Sequence, residues 1–141
     1  MMVIHRFGVA ARVLGGALGV IALAGSAGCS RDLRIDAGDF DGPPVRIDSA
    51  GDWHVVVGEL PSPGWEFVLD RTRPTPDAER VFLSMRRPNP MAVYPMVIVE
   101  QRVVTPVRSN GAIEAFARVV GYADKKPPGY RRVRLAPAPG E

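Results

Sequence analysis

Trp53-His-Val-Val-Val-Gly-Glu-Leu-Pro-Ser-Pro-Gly-Trp-Glu-Phe-Val-Leu-Asp70 decides the fold class. Its opening Trp53-His-Val-Val-Val57 is a β-branched run bounded by Gly51 and Gly58, and such residues suit a pleated, half-buried surface. Leu60-Pro-Ser-Pro-Gly64 is a turn cluster, because proline pre-sets φ and glycine takes a positive φ without steric cost. From Trp65 the pattern alternates. Trp65, Phe67 and Leu69 share one face, and Glu66 and Asp70 take the other, which is the period of two of a strand.

Outward from this stretch the same signals recur. After a loop over residues 71–77, Arg80-Val-Phe-Leu-Ser-Met85 aligns Val81, Leu83 and Met85 on one face. Pro88, Pro90 and Pro95 make residues 86–95 a loop or an edge crossing, since proline cannot donate to a sheet ladder. Met96 to Val104 is the longest β-rich run. Asn110-Gly111 suits a type I′ hairpin turn, which would return residues 112–120 to pair with residues 96–104. Tyr130 to Leu135 reads as the last strand, with Val133 and Leu135 facing one way. Ile113, Phe116, Ala117 and Val120 also fall at helical spacing, and alanine and glutamate favour a helix. The expectation is therefore an all-β chain, a small antiparallel Ig-like β-sandwich, with an α+β fold helical over residues 112–120 as the alternative. Trp53, Trp65, Phe67, Phe82, Leu83, Ile98, Phe116 and Val119 are the core candidates.

The N-terminal region reads differently. Met1 to Arg12 carries Arg6, Arg12 and His5 but no acid, and Val13 to Gly28 has no charge at all. A positive segment, an apolar segment and small residues form the pattern of an export signal. The apolar run is shorter than the ~20 residues that a permanent membrane helix needs. It ends at Cys29, the single cysteine of the chain. Ser26-Ala27-Gly28-Cys29-Ser30 resembles the lipobox of bacterial lipoproteins. The resemblance is confined to this leader. It implies cleavage before Cys29, diacylation of the thiol and acylation of the new N-terminus. Ala27 and Gly28 match that family, whereas Ser26 stands where an aliphatic residue is usual and leaves ordinary cleavage after Ala27 open. Stable attachment takes two or more acyl chains, and the three implied by the resemblance meet that requirement. In the resembled family an uncharged residue after the cysteine, here Ser30, goes with passage to the outer membrane, so the resemblance implies that destination in an organism that has one. The expected organisation is a signal peptide over 1–28, a lipidated tether over 29–44, a β-sandwich domain over 45–136 and a disordered tail over 137–141. Gly38, Gly42, Pro43 and Pro44 support the tether.

The chain has 18 basic and 15 acidic side chains. Loss of Arg6 and Arg12 with the leader would leave 16 against 15, so the basic balance is no sign of a nucleic-acid partner. Charge is uneven along the chain. Residues 29–100 hold 8 basic and 12 acidic groups, and residues 101–141 hold 8 and 3. The halves would attract each other across a fold, or the basic half would face an anionic surface. Lys125, Lys126, Arg131, Arg132 and Arg134 are the candidates for that contact, and solvated charges guarding an edge strand are the plainer reading.

Catalytic and metal motifs are thin. Without His5, His54 is the one histidine, and no Gly-x-Ser-x-Gly, His-Glu-x-x-His or Cys-x-x-Cys accompanies it. It reads as a strand residue. Asp39, Asp41, Gly42 and Asp48 fall at calcium-loop positions counted from Ala37, but Ala37 replaces the first ligand and Pro43-Pro44 disfavour a flanking helix. Glu59, Glu66, Asp70 and Glu100 show no spacing that pairs them for acid–base work. No catalytic residue, metal or cofactor is therefore expected. The expected function is non-enzymatic: a lipoprotein of the cell envelope acting as a binding or structural module, with the membrane and an envelope protein or anionic surface as partners. The alternative comes from residues 55–65 and the strand after them, which are similar to the strand, Pro/Gly loop and aromatic arrangement of chagasin-like inhibitors and other small secreted inhibitor sandwiches. That similarity implies a protease inhibitor or a protease-complex accessory domain, with Pro61, Pro63, Gly64 and Trp65 as the partner-binding loop and residues 87–95 beside it.

Overall fold

A computed structural model describes residues 33–135. Among them, eight strands follow one another: β1 (Ile35–Asp39), β2 (Val45–Ala50), β3 (Trp53–Leu60), β4 (Glu66–Pro74), β5 (Glu79–Arg86), β6 (Val99–Arg108), β7 (Ile113–Val120) and β8 (Tyr130–Arg132). They form a sandwich of two sheets, one with the order β1-β8-β7-β5-β4 and one with the order β2-β3-β6. The described residues contain no helix, so residues 112–120 are strand and the α+β alternative falls.

The core lies between the sheets and follows the alternation. Val81, Leu83 and Met85 on β5 are wholly buried, and each such side chain contributes about 1.5–3 kcal/mol by leaving water. Ala115 and Ala117 of β7 lie beside Val81 and Leu83 in register. Val45, Val56, Leu60, Phe67, Val107 and Val133 complete this core. Phe82 and Phe116 take the opposite face of the five-stranded sheet, where they stack at 5.4 Å and Tyr130 meets Phe82 edge-on at 5.1 Å.

Two hairpins are local. β2 and β3 are joined by Gly51-Asp52 with Ala50 opposite Trp53. Gly51 has φ +59°, and a glycine first in a two-residue loop is the type II′ pattern. Between β4 and β5, the Thr75 N–H donates to the Ala78 carbonyl at 2.9 Å, and the Thr75 hydroxyl donates to the same oxygen at 2.6 Å.

The expected Asn110-Gly111 hairpin does not form. The Gly111 N–H closes a turn onto the Arg108 carbonyl at 2.8 Å. Neither Asn110 nor Gly111 has the positive φ that a type I′ turn needs. The chain instead leaves the three-stranded sheet and β7 pairs with β5, in parallel, from Glu79↔Ile113 to Arg86↔Val120. The β1–β8 pair is parallel too, and the remaining pairs are antiparallel.

The reading of residues 29–44 as tether is corrected over its described part. Residues 35–39 are β1, paired with β8 from Ile35↔Tyr130 to Asp39↔Arg132. The Phe40 N–H donates to the Arg132 carbonyl at 2.8 Å, and the Phe40 ring packs against Gly42 and the main core. Glycine and aspartate are poor strand formers in isolation, but here a neighbouring strand supplies the ladder. Two core candidates also move outside. Trp53, at the hairpin end, is 37% exposed with the Arg108 guanidinium 4.3 Å from its ring centroid. Ile98 is 72% exposed. β6 begins only at Val99, opposite Leu60, because β3 ends there before Pro61 and residues 96–98 have no partner strand.

Candidate functional site

A β-bulge builds the site. Leu69 pairs with Leu83 and Arg71 with Phe82, so Asp70 is an extra residue on β4. Before the bulge, Phe67 and Leu69 point into the core. After it, Arg71 and Arg73 lie beside the outward-facing Phe82 and Arg80 rather than inside. The bulge thus keeps two arginines out of the core and aims the Asp70 carboxylate over the outer face of the five-stranded sheet.

Four side chains converge there. Asp70 Oδ2 accepts hydrogen bonds from the Ser84 hydroxyl and, at 2.8 Å, from the Tyr130 hydroxyl. Arg118 donates from Nε to Ser84 Oγ at 2.8 Å, and its outer nitrogen lies 3.5 Å from Asp70 Oδ2. The guanidinium also stands 4.2 Å from the centroid of the Tyr130 ring. Ser84 and Arg118 are brought side by side by the β5–β7 register. Only 20% of the Arg118 side chain and 19% of the Asp70 side chain are exposed, a setting where charge-assisted hydrogen bonds are strong. Burial, and next the hydrogen bond to Asp70, push the Tyr130 phenol up to about 12. It stays a neutral donor at physiological pH. The Ser84 proton is committed to Asp70, and His54 sits on the other sheet with Nε2 donating to the Gly111 carbonyl at 2.8 Å.

Two hollows flank Arg118. The larger, of about 810 Å³, is lined by Arg34, Arg71, Arg118, Lys125 and Lys126, with Asp70 as its one acid and Leu33, Pro127, Pro128 and Tyr130 as its apolar wall. The smaller, of about 540 Å³, runs past Arg118 to Glu66, Arg86, Arg87, Tyr94 and Tyr122. The lysine loop has a fixed base. The Asp124 carboxylate accepts the Gly121 N–H at 2.6 Å, and Asp36 accepts the Gly129 N–H at 3.2 Å. The Arg34 guanidinium bonded to Asp36 at 2.9 Å holds that carboxyl below the usual carboxylate range.

The five basic candidates divide. Lys125 and Lys126 face the larger hollow. Arg131 pairs with Asp41 at 3.3 Å, Arg132 with Glu114 at 2.9 Å and Arg134 with Asp39 at 2.6 Å. The pairs with Asp41 and Asp39 link the basic C-terminal part to acids of the segment read as tether, whereas Glu114 lies within that part itself. Asp39 and Asp41 are thereby occupied, and no group of three metal-ligating side chains occurs among the described residues. Of the proposed partner loop, Pro63 is exposed. Gly64 lies under the Tyr94 ring, and Trp65 packs on the core with the Arg87 guanidinium 5.9 Å from its centroid. Pro61 is half-buried and the adjacent Ser62 is buried. Cys29, the leader over residues 1–28 and the tail over 137–141 lie outside the described residues.

Sequence reasoning missed Asp70, Ser84, Arg118, Tyr130, Arg71 and Arg34. A bulge leaves no mark in a period-two pattern, and Arg118 stands in an apolar run whose partner strand was misplaced. The one available signal was Arg118 itself, a charge interrupting Ile113–Val120. No protein-family model, curated protein or solved structure matches the chain.

Proposed function

We propose that this chain is a bacterial envelope lipoprotein, held to a membrane through acylated Cys29, whose β-sandwich is a non-enzymatic binding module for an anionic group. The observation that carries the binding half is the larger hollow, where five cationic side chains face one carboxylate. Asp70 offsets Arg118 and Asp36 offsets Arg34, and Arg71, Lys125 and Lys126 still leave the hollow with an excess of positive potential. Arg118 is the fixed donor of the site, since Ser84, Asp70 and Tyr130 hold its plane. Lys125 and Lys126 are the flexible point charges at the rim. The ligand chemistry that fits is a phosphate or carboxylate group small enough for a partly enclosed hollow. The leader pattern and the lipobox resemblance support the membrane half.

Two measurements test the two halves separately. The intact mass of the membrane-extracted protein should correspond to a chain starting at Cys29 with acyl groups attached; a chain starting at Met1 with a bare thiol would remove the anchor. Titration calorimetry should detect binding of inorganic tripolyphosphate or of citrate, weakening as salt rises. Binding should be lost in the Lys125→Glu/Lys126→Glu protein. Failure of both probes to bind, or equal binding by the double variant, would remove the anion site.

A further inference from the structure

A run of exposed apolar side chains lies on the arm between β5 and β6, whose base at Arg86, Arg87 and Tyr94 borders the smaller hollow. Met91, Val93, Met96, Val97 and Ile98 are exposed by 89%, 99%, 86%, 58% and 72%. Five large exposed apolar side chains in eight residues are a concentration of the kind that marks an interaction surface. The arm is also built rather than slack. The Met91 N–H donates to Asn89 Oδ1 and the Ala92 N–H to the Asn89 carbonyl, both at 3.0 Å. The Val97 N–H donates to the Pro95 carbonyl at 3.0 Å, and the Tyr94 ring sits on Gly64. Pro88, Pro90 and Pro95 fix φ along it. The fold therefore holds these side chains outward instead of folding them in.

We propose that this arm inserts its tip into the interfacial layer of an anionic lipid bilayer. Three features favour lipid over a protein strand. Residues 80–99 contain no acid, and the base of the arm carries Arg86, paired with Glu66 at 3.7 Å, and Arg87, set against the Trp65 ring, where a cation would meet anionic headgroups. Trp65 and Tyr94 lie at the same base, and aromatic residues with a polar edge concentrate at the membrane interface. The backbone offers few free donors: three prolines carry no N–H, and the N–H groups of Met91, Ala92 and Val97 are bonded within the arm. The same prolines break the donor ladder that strand addition to a partner sheet needs. The contact is independent of Cys29 and of the cationic hollow, and it would lay one end of the sandwich against the membrane.

The test uses the full chain with Cys29→Ser and a single cysteine introduced by Val97→Cys, labelled with an environment-sensitive fluorophore. A control chain carries the label at Asp77→Cys, in the β4–β5 turn at the opposite end of β5. Vesicles of phosphatidylcholine with phosphatidylglycerol should shift the position-97 emission to the blue. Phosphatidylcholine alone should shift it less, and position 77 should not respond. Met96→Asp/Ile98→Asp, at two exposed positions, should abolish the shift without lowering the melting temperature. No shift with either vesicle would overturn the proposal. So would an equal shift at both positions, or a shift without vesicles that grows with protein concentration or needs an added protease, since that would assign the arm to a protein.

Discussion

Replacing Tyr130 with phenylalanine deletes one hydroxyl while the ring keeps its edge-on contact with Phe82. No cavity opens, so the cost is that of the 2.8 Å hydrogen bond to Asp70. A hydrogen bond to a charged partner contributes roughly 1.5–3 kcal/mol. The low end, about 1.5 kcal/mol, applies because Ser84 and Arg118 still donate to the carboxylate. This difference should depend on pH. The native phenol is raised from 10.0 to about 12, so the unfolded chain ionises first. The contribution of Tyr130 is fully present below pH 10 and is lost as pH rises towards 12. Near pH 11 the wild type has lost about 1.4 kcal/mol that the phenylalanine variant cannot lose. Urea unfolding followed by the fluorescence of Trp53 and Trp65 should therefore show the wild type more stable at neutral pH and the two proteins about equal near pH 11. A stability difference that stays constant over that range would refute the raised ionisation of the Tyr130 phenol, which burial causes first and the hydrogen bond to Asp70 second.

Two further outcomes concern the frame around the site. The Gln101 side chain imitates a peptide unit, accepting the Phe67 N–H at 2.9 Å and donating to the Trp65 carbonyl at 2.6 Å, and so links β6 to β4 across the sandwich; Gln101→Leu should cost about 2–4 kcal/mol in urea unfolding, and an unchanged midpoint would show the link to be idle. Phe40→Ala should cost about 2 kcal/mol because the half-buried ring packs on Gly42 and the core; a melting temperature equal to wild type would restore residues 35–44 to the status of a tether.

The fold class was legible in short apolar and β-branched runs set between turn residues: Val81, Leu83 and Met85 mark the side of β5 that faces the other sheet, although Phe82 and Ser84 are buried on its other side. Pairing was not legible. Asn110-Gly111 carries the local chemistry of a hairpin, yet β7 lays Ala115 and Ala117 beside Val81 and Leu83 instead of returning along β6. β1 was invisible for the opposite reason, since Ile35-Asp-Ala-Gly-Asp39 has little strand propensity and is held by β8 and by Arg131 and Arg134. The predicted attraction between acidic and basic parts was sound, but it was not joined to those particular residues. At the site, only Lys125 and Lys126 were found in advance, because charge can be counted along a chain whereas a bulge that turns Asp70 outward can be seen only in the ladder.

The pairing of β1 with β8 has a consequence for how the chain can be made. The first strand has its only sheet neighbour in the last one, about 95 residues downstream, and closing such a distant pair is slow. While the polypeptide emerges from its N-terminal end, β1 must wait with an unpaired edge until Tyr130–Arg132 arrives. The five-stranded sheet therefore completes only after Tyr130–Arg132 has emerged, while β2 to β7 can pair before then.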